Sequence, residues 1–147
     1  MERACFKSVS SIGFKGLRYF ANTVIRKDFF MNITVIGCGR WGSFIAWYLD
    51  RTGHTVSLYG RKGSSHMQQF MTTRSNGLLT LPESIALTNT LDDLDKSDVI
   101  VISIAAQSLD SLMAKLEAMQ LQNKVFVLCM KGIEIGTGRR LSQIAGA

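Results

Sequence analysis

Three glycines, Gly37, Gly39 and Gly42, punctuate the stretch MNITVIGCGRWGS, residues 31–43. They follow an apolar run directly and open a helical pattern, so the spacing G-x-G-x-x-G stands in the context that suits a diphosphate. Gly37 permits a tight turn, Gly39 lets the backbone approach a pyrophosphate, and Gly42 lets the helix lie close to the strand. The helix start adds unpaired N–H groups and a partial positive charge. The alternative is a glycine-rich turn that binds nothing, but such glycines cost conformational entropy without a packing return.

Two further places could do chemistry. At the end of the second apolar run the chain reads LYGRK, with Arg61 and Lys62 where an NAD site usually carries Asp or Glu. Two cations there suit a ribose 2′-phosphate, so the expected cofactor is NADPH in preference to NADH. The bland reading is a solvated basic turn. Lys131 follows the apolar run 125–130, where ligands of parallel sheets bind. A cation there could hold a phosphate or polarise a carbonyl oxygen as charge develops on it; alternatively it is a solvated loop lysine.

The elements that must position these groups alternate from Met31 onward. Ile33, Val35 and Ile36 form a short strand, and residues 40–51 read as a helix with Trp41, Ile45, Tyr48 and Leu49 on its apolar face. Gly53 stops that helix, and residues 55–59 form the second strand. Ser64 or Ser65 caps a helix to about Arg74, and residues 85–88 form a short strand. LDDLDKSD is a polar turn or short helix. Residues 99–104 and 125–130 read as buried parallel strands, with a helix over 107–119 between them that sets Leu109, Leu112, Met113 and Leu116 on one face. A last helix begins near Arg139. This rhythm predicts an α/β fold, a Rossmann-type doubly wound parallel sheet of about five to six strands.

Composition agrees with one globular domain. The chain has 147 residues, 46% hydrophobic and 19% charged, and no apolar run of membrane-spanning length. The net charge of +6 is concentrated at the N-terminus. Residues 1–30 hold six basic and two acidic side chains, whereas residues 31–147 are nearly balanced. With no basic stripe and no known motif, nucleic acid is not an expected partner. Cys5, Cys38 and Cys129 show neither metal-ligand nor disulfide spacing, and with only His54 and His66 no metal site is expected.

Residues 1–30 form a basic, amphipathic extension. They read either as an organelle transit peptide or as sequence upstream of a true start at Met31. Cytoplasmic placement is expected, with an organelle as the alternative; mass spectrometry of the mature N-terminus decides.

GCGRWGS followed by GHTVSLYGR resembles the N-terminal domain of NAD(P)-dependent glycerol-3-phosphate dehydrogenase. SDVIVISIAAQSLDSLMAKL and VFVLCMKGIEIGTGRRLSQI resemble later segments of the same domain, so the likeness covers nearly all of residues 31–147. The combination of Trp41 with Lys131-Gly132-Ile133-Glu134 carries it. The resemblance implies reduction of dihydroxyacetone phosphate to sn-glycerol 3-phosphate for phospholipid synthesis, and a homodimeric full-length protein. It implies that Arg40 and Trp41 contact the cofactor, Arg61 its adenosine end, and Lys131 both cofactor and substrate. Trp41 could equally be core packing, and Glu134 a first-turn helix acid.

Two departures stand out. The loop SNGLLTLPES keeps Asn76 but is shorter than the family's and lacks its aromatic, so no cofactor contact is expected from it. The fourth strand ends in Ala105-Ala106, not in proline followed by a small residue. The resemblance also places the catalytic lysine in a C-terminal helical domain. The expectation is therefore a cofactor-binding half that turns over poorly alone and exposes apolar sheet surface. A ketopantoate-reductase-like NADPH reductase and a non-catalytic nucleotide-binding module are the competing readings.

Overall fold

The computed structural model describes residues 30–146. The readings made for residues 1–29 lie outside these. Five parallel strands form one sheet in the order β3-β2-β1-β4-β5. They are β1 (Asn32–Ile36), β2 (Thr55–Tyr59), β3 (Ala86–Thr88), β4 (Val99–Ile102) and β5 (Val125–Leu128). Among the described residues four α-helices accompany them: α1 (Arg40–Arg51), α2 (Ser65–Thr73), α3 (Leu109–Ala118) and α4 (Leu141–Ala145). Chain order runs outward from β1 to β3, then returns past β1 to β4. The switch point of the sheet therefore lies between β1 and β4, at the glycine loop.

Strand alternation divides the core in two. Val35, Val56, Leu58 and Val101 meet Ala46 of α1 and Met67 and Phe70 of α2 on one face. Ile36, Ile100 and Ile102 meet Leu109, Leu112 and Leu116 of α3 and Leu141 and Ile144 of α4 on the other. Both faces of β1 and β4 are covered, which is why these strands read as continuous apolar runs. Thr34 breaks the run inside the core, and its hydroxyl is satisfied by Ser97 at 2.7 Å.

Most element boundaries match the sequence reading, and the differences have physical causes. The face of α1 turned to the sheet is Gly42, Ser43 and Ala46, with Ile45 and Leu49 half-buried. Trp41 and Tyr48 are 60% and 56% exposed, so they do not belong to the expected buried face. The helix approaches the sheet too closely for a ring to enter at Trp41. That ring instead stacks on Phe44, with centroids 5.7 Å apart.

The expected helix over 107–119 is a 3₁₀ turn, Ala106–Ser108, leading into the shorter α3. The strand expected over 99–104 ends at Ile102, because Ser103 turns to meet Gly37. The strand over 125–130 ends at Leu128 and is not buried. β5 is the outer strand, and its Val125, Phe126 and Val127 are 57%, 38% and 39% exposed. Composition cannot tell a central strand from an edge strand when both are rich in β-branched residues. No helix among the described residues is long and apolar enough to cross a membrane.

Candidate functional site

The glycine loop is built by close backbone contact. Gly37 has φ of +120°, and a Cβ there would lie 2.7 Å from the Ser103 carbonyl carbon. A Cβ on Gly42 would lie 3.0 Å from the carbonyl carbon of Gly37 and closer still to its oxygen. Gly39 differs: a Cβ there would meet nothing within 4 Å. Gly37 and Gly42 are thus required by the packing of the protein itself. Gly39 faces open space, where a bound group could approach the main chain.

Behind this turn, Ser43 is fully buried. Its hydroxyl donates to the Gly39 carbonyl at 2.9 Å and accepts from the Asn76 amide at 3.3 Å. The Asn76 carbonyl in turn accepts from the N–H groups of Leu78 and Leu79, at 3.0 and 2.9 Å. Asn76 therefore touches the glycine loop indirectly, through Ser43. No side chain caps α1 at Gly39, which leaves its first-turn N–H groups directed at the space beyond the strand ends.

That space is a cleft of about 450 Å³ at the carboxyl ends of β1, β2 and β4. Gly37, Cys38 and Gly39 form one wall, and Gly60, Arg61, Ser64 and His66 a second. The 3₁₀ turn and α3 supply the third, with Ser108, Ser111, Leu112 and Lys115. Apolar surface comes from Ile36, Leu91 and Ile104. The lining holds an arginine, a lysine and a histidine, and no aspartate or glutamate. Among the described residues no carboxylate forms an ion pair with Arg61 or Lys115.

Of the residues singled out in the sequence, Gly37, Gly39 and Arg61 line this cleft. Gly42 lies beneath it as a packing contact. Lys62, Arg40, Trp41 and Lys131 are exposed and are not part of the lining. Lys131 stands in a separate loop after β5. Gln107 holds that loop, donating to the Ile133 carbonyl at 3.0 Å and accepting from the Ile135 N–H at 3.1 Å.

Glu134 does not begin a helix: α4 starts at Leu141. Glu134 instead closes a turn with Thr137 and with Arg139, the latter at 3.1 Å. The Thr137 hydroxyl and the Arg139 guanidinium hold its carboxyl below the ordinary glutamate range.

Sequence reasoning missed Ser108, Ser111 and Lys115. Their signal was present as a polar stripe, with Leu112, at helical spacing along one edge of α3. The apolar positions Leu109, Leu112 and Leu116 dominate the helical period and mask that stripe.

Ala105 lies beyond the end of β4, at the start of the 3₁₀ turn. Ala105 has φ of −64° and ψ of 137°, values that a proline ring accepts.

Residues 32–147 match a family described as the NAD-dependent glycerol-3-phosphate dehydrogenase N-terminus. Among curated relatives, the glycerol-3-phosphate dehydrogenase [NAD(P)+] of Thermoanaerobacter sp. (strain X514) is 30% identical over 118 residues. That match covers 78% of this chain and 36% of the relative. The protein of the same name from Pelodictyon phaeoclathratiforme is 34% identical over 123 residues, covering 78% and 35%. The chain thus spans about a third of the length of the curated relatives it matches. A crystal structure of glycerol-3-phosphate dehydrogenase from Coxiella burnetii superposes with a TM-score of 0.70 at 20% identity. It covers 80% of this chain and 37% of the other, and at that identity the likeness speaks to the fold.

Proposed function

The chain belongs to the family of NAD-dependent glycerol-3-phosphate dehydrogenases, of which it carries the N-terminal part, and on that premise we propose that its cleft holds NADPH. A nicotinamide cofactor follows from the family. The preference for the phosphorylated form rests on one observation, the absence of any carboxylate from a cleft that Arg61 lines. An NAD site needs an acceptor for the ribose 2′-hydroxyl, and a carboxylate there would repel a 2′-phosphate. The residues present fit such a group. The open face at Gly39 and the uncapped start of α1 suit a pyrophosphate, and Arg61 offers planar, bidentate contacts to a phosphate.

In the proposed reaction a bound reduced nicotinamide would supply a hydride to the carbonyl carbon of dihydroxyacetone phosphate, and the carbonyl oxygen would take up a proton to give sn-glycerol 3-phosphate. This chain's own residues bind and orient. The glycine loop fixes the diphosphate against the switch point, and Arg61 sets the adenosine end. Arg40 and Trp41 lie at the start of α1, beside the loop, and belong to the proposal as outer cofactor contacts. Lys131 is proposed to hold the substrate phosphate or carbonyl oxygen, from the loop that Gln107 fixes. A cytoplasmic place for this activity, and a homodimer for the longer enzyme, complete the reading.

The test compares affinities for NADPH and NADH before and after Arg61→Ala. Loss of the NADPH preference supports the reading; an unchanged ratio rejects it. The substrate is tested by offering dihydroxyacetone phosphate and ketopantoate to the full-length gene product. Turnover of ketopantoate alone would favour the competing reductase.

A further inference from the structure

Arg61 stands on one wall of the cleft, and another wall carries a cation that the sequence reading did not single out. α3 runs along that wall with Ser111, Leu112 and Lys115 lining the space, and Ser108 lines it from the preceding 3₁₀ turn. Its rotation is fixed, because Leu109, Leu112 and Leu116 are buried in the core on the flank beside this stripe. The backbone position of Lys115 at the cleft is therefore set by the packing of α3, while its side chain is exposed.

Lys115 also lacks the partners a solvated helix lysine commonly has. The positions three and four residues away are Ser111, Leu112, Ala118 and Met119, none of them acidic. Lys62, by contrast, is outside the lining although it follows Arg61 directly.

The geometry points to Lys115 as the second cation of the phosphate site, closing on a ribose 2′-phosphate from a different wall of the cleft from Arg61. This rests on the NADPH reading above and deepens it by naming what sets the preference. The ligand class is a 2′-phosphorylated adenine nucleotide. Arg61 supplies a directional fork, and Lys115 a mobile point charge on a four-carbon stem that reaches from a rigid helix. Ser111, one turn earlier on the same face, adds a hydroxyl to the same wall. A dianionic phosphate between two cations is stabilised by charge-assisted hydrogen bonds that a 2′-hydroxyl cannot make to either.

The experiment titrates NADPH and NADH into the wild-type chain and into Lys115→Ala, Lys115→Arg, Lys62→Ala and Arg61→Ala, by calorimetry at two salt concentrations. Circular dichroism checks the fold of each variant. If Lys115→Ala does not fold, Lys115→Met takes its place, keeping the aliphatic stem. Lys115→Ala is expected to weaken NADPH about tenfold while leaving NADH within about twofold. Lys115→Arg restores the preference, and the salt dependence of NADPH binding flattens when Lys115 is lost.

Equal weakening of both cofactors would show a structural role for Lys115 and overturn the inference. So would a wild-type response from Lys115→Ala, or a loss carried by Lys62→Ala in its place. Should the wild-type chain itself not distinguish NADPH from NADH, the underlying cofactor reading fails, and this inference fails with it.

Discussion

Gly37 and Gly42 meet backbone to backbone: a Cβ on Gly42 would sit 3.0 Å from the Gly37 carbonyl carbon and closer to its oxygen. This contact joins the end of β1 to the first turn of α1 and holds the helix start over the sheet's switch point. A Cβ on Gly39, between them, would meet nothing within 4 Å. The three glycines of one motif thus answer to different demands. The outer two serve the fold, and the middle one faces open space, where we propose the pyrophosphate lies.

Substitutions should separate those demands. Gly42→Ala forces α1 off β1 against main chain that cannot yield, and should cost about 2 kcal/mol or more in denaturant unfolding. Gly39→Ala should leave stability within about 0.5 kcal/mol, since its φ of −71° suits alanine. Its methyl group would still occupy the face open to the pyrophosphate, so cofactor affinity should fall. A stable Gly42→Ala, or a Gly39→Ala that binds normally, would contradict this division.

Ala105→Pro should be tolerated and mildly stabilising. Ala105 already holds φ at −64°, and among the described residues its N–H donates to no hydrogen bond. A proline there reduces the freedom of the unfolded chain, which should raise stability by about 0.5–1 kcal/mol. Thermal or urea unfolding reads the change; a loss of stability would mean the turn after β4 is held differently.

The turn at Glu134 should weaken in acid. Its carboxyl is held below the ordinary value of 4.5 by the Thr137 hydroxyl first and the Arg139 guanidinium second. A depressed folded-state value stabilises the native state above the unfolded value, and that contribution disappears as pH falls through the folded value. Melting temperatures measured across this acidic window should decline more steeply for the wild type than for Glu134→Gln. Equal slopes would show that the pairing does not contribute.

β5 should make the chain self-associate. Its outer edge has no neighbouring strand among the described residues, and Val125, Phe126 and Val127 are 57%, 38% and 39% exposed. An exposed apolar edge strand invites pairing with another chain. Val127→Lys places a charge on that edge and should shift sedimentation profiles towards monomer at micromolar concentration. A wild-type chain already monomeric there would contradict the expectation.

How much was legible in the sequence depends on what each signal encodes. The glycine spacing and the alternation of periods were enough for the helix over 40–51 and the strand over 55–59, both of which the structure reproduces. The strand order is not written locally, so β5 read as buried when it is an edge. Trp41 read as part of an apolar face, because hydrophobicity does not reveal that only small residues fit where α1 meets β1. Lys115 is not legible as a cleft residue because Arg61, which lines the same cleft, is more than fifty residues away in sequence. Long-range juxtaposition is what the fold adds.

The central claim is that this cleft selects a 2′-phosphorylated cofactor, and a direct titration of NADPH and NADH against the wild-type chain tests it. NADPH should bind about tenfold tighter or more, with the difference shrinking as salt rises. Equal affinities, or tighter binding of NADH, would contradict it.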